Sequence, residues 1–236
     1  MRGRLIRDRG PRPRKPDANL NLDRYEFAFE TLASLKAKLP APSVYDLGLG
    51  DGQMQRIESL GLRWKGFDQT AWSKAERWDL AEPCPIEEKA GAALLLDVIE
   101  HCPNPGLVLK NIAAALLCEG RLVITTPNPR WSASRLHTLV FGWPSGFTGL
   151  DLAQNHHVLP IWPHVLEKFL GDAGFVVDQY VTLDGVSGLF RHRLSFARML
   201  IEKLDRSACG MSYAVIARKS LHSLCMPGQI EDLTGS

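Results

Sequence analysis

Apolar residues recur at near-helical spacing across residues 23–39, at Tyr25, Phe29, Leu32 and Leu35, and the pattern stops at Pro40. A helix is predicted there. From residue 43 onward, short apolar runs alternate with helical periods. Strands are predicted at 43–47, 62–67, near 78–80, and at 92–98, 121–126, 175–183 and 211–218. Helices are predicted at 53–60, 105–117 and 163–173, with a helical segment around 187–206. The run AALLLDV at 92–98 is continuously apolar, the mark of a strand covered on both faces of a parallel sheet. Residues 128–160 break the alternation and are rich in Trp, Phe and Gly. The implied fold is α/β: a doubly wound, mostly parallel, seven-stranded sheet with a helical insertion after the fifth strand.

Composition narrows this picture without changing it. The chain has 236 residues, 45% hydrophobic and 23% charged, the balance of a globular domain with a sizeable core. No apolar run reaches the ~20 residues of a membrane span, and the first residues lack the apolar core of a secretory signal, so a cytoplasmic protein is expected. The net charge of +2 conceals an asymmetry: residues 1–16 hold seven basic side chains against Asp8 alone, and the remainder is acidic. The predicted organisation is a basic flexible arm at 1–20, a domain at 21–218 with its insertion at 130–160, and a tail at 219–236. Nucleic-acid contact is open only through the arm. The five cysteines form no CxxC or zinc-like cluster, which fits reduced thiols.

The first strand runs into Asp46-Leu47-Gly48-Leu49-Gly50-Asp51-Gly52. Glycines at a strand-to-helix turn let backbone approach a ligand where a Cβ would collide, and open α/β sheets bind ligands beyond the carboxyl ends of their strands. A dinucleotide fingerprint needs a third glycine where Gln53 or Gln55 stands, and no phosphate-loop signature follows. Asp46 and Asp51 would repel a pyrophosphate and suit a cation. A tight turn with no ligand role is the alternative.

VYDLGLGDG resembles the first motif of the class I S-adenosylmethionine-dependent methyltransferases, a Rossmann-like family. Further motifs follow in order. Trp64-Lys65-Gly66-Phe67-Asp68 resembles the second strand with its terminal acid, and Trp78-Asp79-Leu80 resembles the family's Asp-Leu pair. LDVIEHCPNP at 96–105 and ITTPNP at 124–129 are similar to the ubiquinone-biosynthesis-like O-methyltransferase branch, as are His157, Pro163, Leu166 and Ala173-Gly174-Phe175. The resemblance covers roughly residues 43–218. It implies S-adenosyl-L-methionine as cofactor, held by Asp46, Gly48, Gly50, Asp51 and Gly52 at the loop. Asp68 would take the ribose hydroxyls, Asp79 and Leu80 would face the adenine, and Asp97 the methionine end. The chain departs from the family at Lys89, Gly91 and Ala92, at Cys118-Glu119-Gly120, and in a short 68–79 linker.

Methyl transfer needs alignment of acceptor and methyl, exclusion of water and, for a hydroxyl acceptor, removal of a proton. Candidate bases are His157, His101 and Glu100. His101 could instead be a packed or capping residue, and Glu100 a structural partner of a nearby cation. Asp97, Glu100 and His101 together could attract a divalent ion, yet no metal is assigned. Aromatics of the insertion, Trp131, Phe141 and Trp143, are expected to wall a small-molecule acceptor. Ordinary packing of an extra helix is the alternative, and the apolar spacing at Leu136, Leu139 and Val140 would also suit a membrane surface or a partner. The function expected is methylation of oxygen or nitrogen of a small molecule. A macromolecular acceptor tethered by the arm, or cofactor binding without catalysis, are the competing readings.

Overall fold

The computed structural model describes residues 14–48, 54–71, 74–184 and 196–221. Its elements are β1 (Ala18–Leu20), α1 (Arg24–Leu35), β2 (Ser43–Leu47), α2 (Met54–Ser59), β3 (Arg63–Asp68), β4 (Ala75–Arg77), β5 (Ala90–Leu96), α3 (Pro105–Ala115), β6 (Leu116–Pro127), α4 (Ser132–Phe141), α5 (Gly149–Gln154), α6 (Pro163–Asp172), β7 (Phe175–Leu183), α7 (Phe196–Leu204) and β8 (Ser212–Lys219). They build one sheet of eight strands in the order β1-β7-β8-β6-β5-β2-β3-β4. All neighbours are parallel except β8, which runs antiparallel to both β6 and β7.

The eighth strand corrects the predicted count of seven. It is β1, inside the segment expected to be a free arm. Ala18, Asn19 and Leu20 pair with Val181, Thr182 and Leu183. Asp17 fastens the segment from both sides, donating its N–H to the Tyr180 carbonyl at 2.7 Å and accepting the Tyr180 N–H on its side chain at 2.8 Å. Residues 14–20 therefore belong to the domain. So does Lys219, placed in the expected tail: it closes β8, and its buried Nζ donates to the carbonyls of Ala113 and Leu116 at 2.7 and 2.8 Å. Ala113 stands in the last turn of α3 and Leu116 caps it, where a cation offsets the partial negative charge of the helix end.

Side chains of the central strands alternate between two apolar layers, as a two-unit period requires. On one face Tyr45, Leu47, Ala93 and Leu95 pack against Val108, Leu109 and Ile112 of α3 and Leu166 and Leu170 of α6. On the other, Val44, Ala92, Leu94 and Leu96 pack against Phe27, Ala28 and Leu32 of α1 and Ile57 of α2. Every residue of β5 is buried. Gly91, one of the family departures, has a packing reason: a Cβ there would lie 2.0 Å from the Ala41 carbonyl oxygen.

Caps fix the helices that face the site. Asp23 caps α1 in a reciprocal capping box with Glu26. Asn104 caps α3, accepting the Leu107 N–H at 3.1 Å, and Pro105 follows as its first residue. Two helices, α4 and α5, stand between β6 and α6. Arg198 of α7 lies over the Trp131 ring at 4.8 Å, which ties the start of α4 to α7. No helix among the described residues is long and apolar enough to cross a membrane.

Candidate active site

Two cavities open at the carboxyl ends of the central strands. The first, of ≈ 370 Å³, is lined by Gly48 after β2, Asp68 at the end of β3, Trp78, Asp79 and Leu80 after β4, and Asp97 after β5. The second, of ≈ 580 Å³, is lined by Glu100, His101, Asn128, Trp131 and His157, and by Arg24 of α1. Asp97 and His101 line both, so the two spaces share a wall.

The wall is built by the strand ends. Asp97 sits in the left-handed region at φ 53, a conformation that Asp tolerates better than most residues. Its backbone N–H donates to the Thr125 carbonyl at 3.0 Å, and its Oδ1 accepts the Thr125 hydroxyl at 2.7 Å. Arg24 completes the set as an ion-pair partner on Oδ2. The next threonine, Thr126, donates its hydroxyl to Glu100 Oε2 at 2.9 Å. The ITTPNP segment thus positions both acids from the neighbouring strand.

Glu100 lies in a short 3-10 turn, Ile99–His101, and is fully buried at 0% exposure. Its Oε1 has no hydrogen-bond partner among the described residues. Burial first, then the negative charge of Asp97, push its carboxyl up to about 8. Among the described residues no cation hydrogen-bonds to it, and the Arg24 guanidinium acts on it at longer range, holding the rise back in part. This group also makes stability depend on pH. A carboxyl that titrates near 4.5 when solvated and near 8 when folded binds an extra proton in the folded state throughout that window. Stability is therefore full below it and is lost as pH rises through it. Glu100→Gln cannot ionise. It is expected to melt several degrees above the parent at pH 8.5 and to lose that advantage at pH 4.5. Parallel Tm-against-pH curves for the two proteins would refute this.

The histidines converge from different segments. His101 Nδ1 donates to the His156 carbonyl at 3.1 Å, and His157 Nδ1 to the Gly146 carbonyl at 2.6 Å. A carbonyl can only accept, so each neutral ring keeps its lone pair on Nε2. The rings meet edge to face at 4.9 Å. Burial holds the His101 imidazole below its usual pKa, and the nearby His157 adds to this. One donor atom from each of Glu100, His101 and His157 falls within 4.8 Å of the others. The three can serve a proton transfer or enclose a divalent cation. Asp97, which the sequence grouped with Glu100 and His101, is engaged by Arg24 and Thr125 instead, and His157 takes its place in the cluster.

The other expected positions divide. Asp68, Asp79, Leu80, Gly48 and Asp97 line the first cavity. Asp46 does not; it is buried in β2 on the α1 side, where it accepts the Trp64 indole N–H at 3.2 Å. Gly50, Asp51 and Gly52 lie outside the described residues. Of the three aromatics expected to wall an acceptor, Trp131 alone lines the second cavity. Phe141 and Trp143 are 56% and 49% exposed and line neither cavity. Phe141 packs on His137, and the Trp143 carbonyl accepts from that same histidine at 2.8 Å. Thr126 and Asn128 stood in the ITTPNP motif without an assigned role, and Arg24 carried no sequence signal.

No family model and no curated protein matches the sequence. Solved structures do. A methyltransferase dependent on S-adenosylmethionine from Archaeoglobus fulgidus is 20% identical, covers 83% of this chain and 94% of its own length, and has a TM-score of 0.57. The chain has the fold of the S-adenosylmethionine-dependent methyltransferases. Geranyl diphosphate C-methyltransferase from Streptomyces coelicolor A3(2), in complex with Mg²⁺, geranyl diphosphate and S-adenosyl-L-homocysteine, is 15% identical over 82% of this chain and 78% of its own, at a TM-score of 0.56. The [4+2]-cyclase SpnF is 16% identical over 88% and 87%, at 0.51. The methyltransferase fold therefore also serves a protein named for a different reaction, and function has to be argued from the site.

Proposed function

We propose that the chain is an S-adenosylmethionine-dependent methyltransferase that transfers a methyl group to oxygen or nitrogen of a small molecule, nearest by its motifs to the ubiquinone-biosynthesis-like O-methyltransferases. The observation that carries this reading is the shared wall: a cavity floored by Gly48 and rimmed by Asp68, Asp79 and Asp97 adjoins a larger one holding two imidazoles and a carboxyl. Two such spaces are what a donor and an acceptor need. The donor fits the first one. Gly48 has φ +73, and a Cβ there would meet Val98 Cγ2 at 2.4 Å, so the floor accepts glycine alone. The acids along the rim suit a cationic ligand with vicinal hydroxyls. A neighbour of the same fold is named as holding a small-molecule ligand and the spent cofactor together.

When bound, the cofactor supplies an electrophilic methyl on sulfur. The protein supplies the rest. Asp68, at the end of β3, would accept the ribose hydroxyls, and Asp79 and Leu80 would face the base. Trp131, held by Arg198, gives the acceptor a rigid apolar surface. The free Nε2 of His157 or His101 takes the proton of a hydroxyl acceptor. Glu100, neutral below about 8, presents a proton or an acceptor oxygen to the same space.

Two measurements test the reading. Calorimetry should detect S-adenosylhomocysteine binding, and Asp68→Ala should weaken it by about 1.5–3 kcal/mol, the range for hydrogen bonds to a charged group. Unchanged affinity in the folded variant would remove Asp68 from the site. The full-length protein is then incubated with methyl-labelled cofactor and a whole extract, and the extract is fractionated by size. Label in the small-molecule fraction is expected. Label in protein or RNA would favour a macromolecular acceptor reached with the basic arm, and cofactor binding without any transfer would leave a binding protein.

A further inference from the structure

The turn after β4 carries Asp79 and Leu80, the two residues expected to face the cofactor base, and it is tied down from three sides. Trp78 is buried at its start, its ring edge to face with Phe67 at 5.3 Å and its backbone N–H on the Asp68 carbonyl at 2.8 Å. The turn then closes on itself. The Trp78 indole N–H donates to the Glu82 carbonyl at 2.9 Å, and the Glu82 N–H to the Asp79 carbonyl at 2.8 Å. The third tie comes from another element. Asn111 of α3, 31 residues on from Leu80, donates its side-chain amide to the Leu80 carbonyl at 2.9 Å. Asn111 is a half-buried polar residue beside the buried Ile112 and Ala113. Val108, one turn earlier on the same side of the helix, lines the first cavity.

The peptide between Leu80 and Ala81 is where this tie acts. Its carbonyl accepts from Asn111, and its N–H, that of Ala81, donates to Asp79 Oδ1 at 2.9 Å. A peptide unit is planar, so the donor that orients its carbonyl also orients its N–H. Asn111 thereby reaches Asp79 through one rigid unit. The Asp79 carboxylate is held by Oδ1, and among the described residues no hydrogen bond falls on its Oδ2, in a side chain that lines the first cavity. A carboxylate oxygen only accepts. It favours a base that carries an amino group and disfavours one that carries an oxo group in the same place. We propose that Asn111 is a positioning residue of the base subsite: through the Leu80–Ala81 peptide it aims Asp79 Oδ2 at the exocyclic amino group of adenine, and so sets the preference for an amino over an oxo purine. The claim rests on the cofactor reading above, and it adds a residue that stands in none of the sequence motifs.

Two ligands separate the outcomes in calorimetry: S-adenosylhomocysteine and S-inosylhomocysteine, which differ only in the amino or oxo group of the base. The parent should prefer the first. Asn111→Leu keeps the volume and loses the donor. It should weaken S-adenosylhomocysteine binding about three- to tenfold, the span of one hydrogen bond, and change S-inosylhomocysteine binding less than about twofold, so that the preference shrinks. Asn111→Gln, which keeps the amide, should recover part of that preference. A side chain that merely braced the turn would serve either base, so equal losses for the two ligands would overturn the proposal. Unchanged affinity for both would overturn it too. A parent that binds the two alike would also overturn it, since Asp79 would then not read the amino group. A parent that binds neither overturns the cofactor reading itself, and the proposal with it. Asn111→Ala carries the same comparison if the leucine variant does not fold.

Discussion

Replacing Gly48 by valine is expected to abolish measurable cofactor binding while leaving a folded protein. The residue follows β2 directly, donates its N–H to the Phe67 carbonyl at 2.8 Å and has φ +73. An L-residue in that region costs roughly 1–2 kcal/mol. Its Cβ would then stand 2.4 Å from Val98 Cγ2, far inside van der Waals contact. Val98 is itself a lining residue of the first cavity, so floor and wall shift together. The stability cost is small beside the effect on binding, because strain of a few kcal/mol lowers Tm by about 10 °C or less in a domain of this size. Calorimetry with S-adenosylhomocysteine should show at least a hundredfold loss of affinity, and circular dichroism should stay native. Retained affinity would remove Gly48 from the site. In the double variant with Val98→Ala the collision is relieved but the backbone strain is not, so part of the Tm loss should return.

The central sheet was legible because burial on both faces leaves a crude signal. β2 falls at 43–47 as predicted, and β5 is recovered within two residues, each being an apolar run stopped by residues that cannot continue it. The edges were not. Three residues of ANL beside a basic, proline-rich arm carry no strand signal, and what makes β1 a strand is the unpaired side of β7. β4 lies at Ala75–Arg77 rather than near Trp78–Leu80. The tryptophan that drew the assignment is buried just past the strand, its indole N–H on the Glu82 carbonyl at 2.9 Å.

The site shows the same division. Asp68, Asp79 and Asp97 line one cavity, and the sequence could group them because strand ends can be read from it. Phe141 and Trp143 were misplaced because helical spacing says which residues share a face of α4, not which face is covered. Glu100 could be named as a candidate, but its burial and its Thr126 partner come from β6 crossing 26 residues away. Arg24 had no signal at all, since its pairing with Asp97 depends on how α1 packs against the sheet.

Removing the base of a hydroxyl acceptor is expected to cost about 100- to 10,000-fold in kcat, and the structure lets His101 and Glu100 be told apart by pH as well as by mutation. Only a neutral imidazole accepts a proton. Burial holds His101 below 6.5, so with His101 as base the rate should rise with pH to a plateau already reached near neutrality. With Glu100 as base the rise should instead be centred at about 8, and the Glu100→Gln variant should be the inactive one. His157 remains the preferred base. Its Nδ1 is fixed by the Gly146 carbonyl, in the segment joining α4 to α5, so its lone pair stays on Nε2 of a ring that lines the second cavity. His157→Ala should therefore lose turnover in single-turnover assays while S-adenosylhomocysteine affinity stays within about twofold of the parent. His101→Ala should lose less, since its ring meets His157 edge to face and can act by orienting it. Near-parent rates for both histidine variants on a hydroxyl acceptor would refute imidazole base catalysis. If instead a chelator silences the parent and a divalent cation restores it, the three donor atoms that lie within 4.8 Å of one another hold a metal, and the loss in each variant should track loss of that ion rather than loss of a proton acceptor.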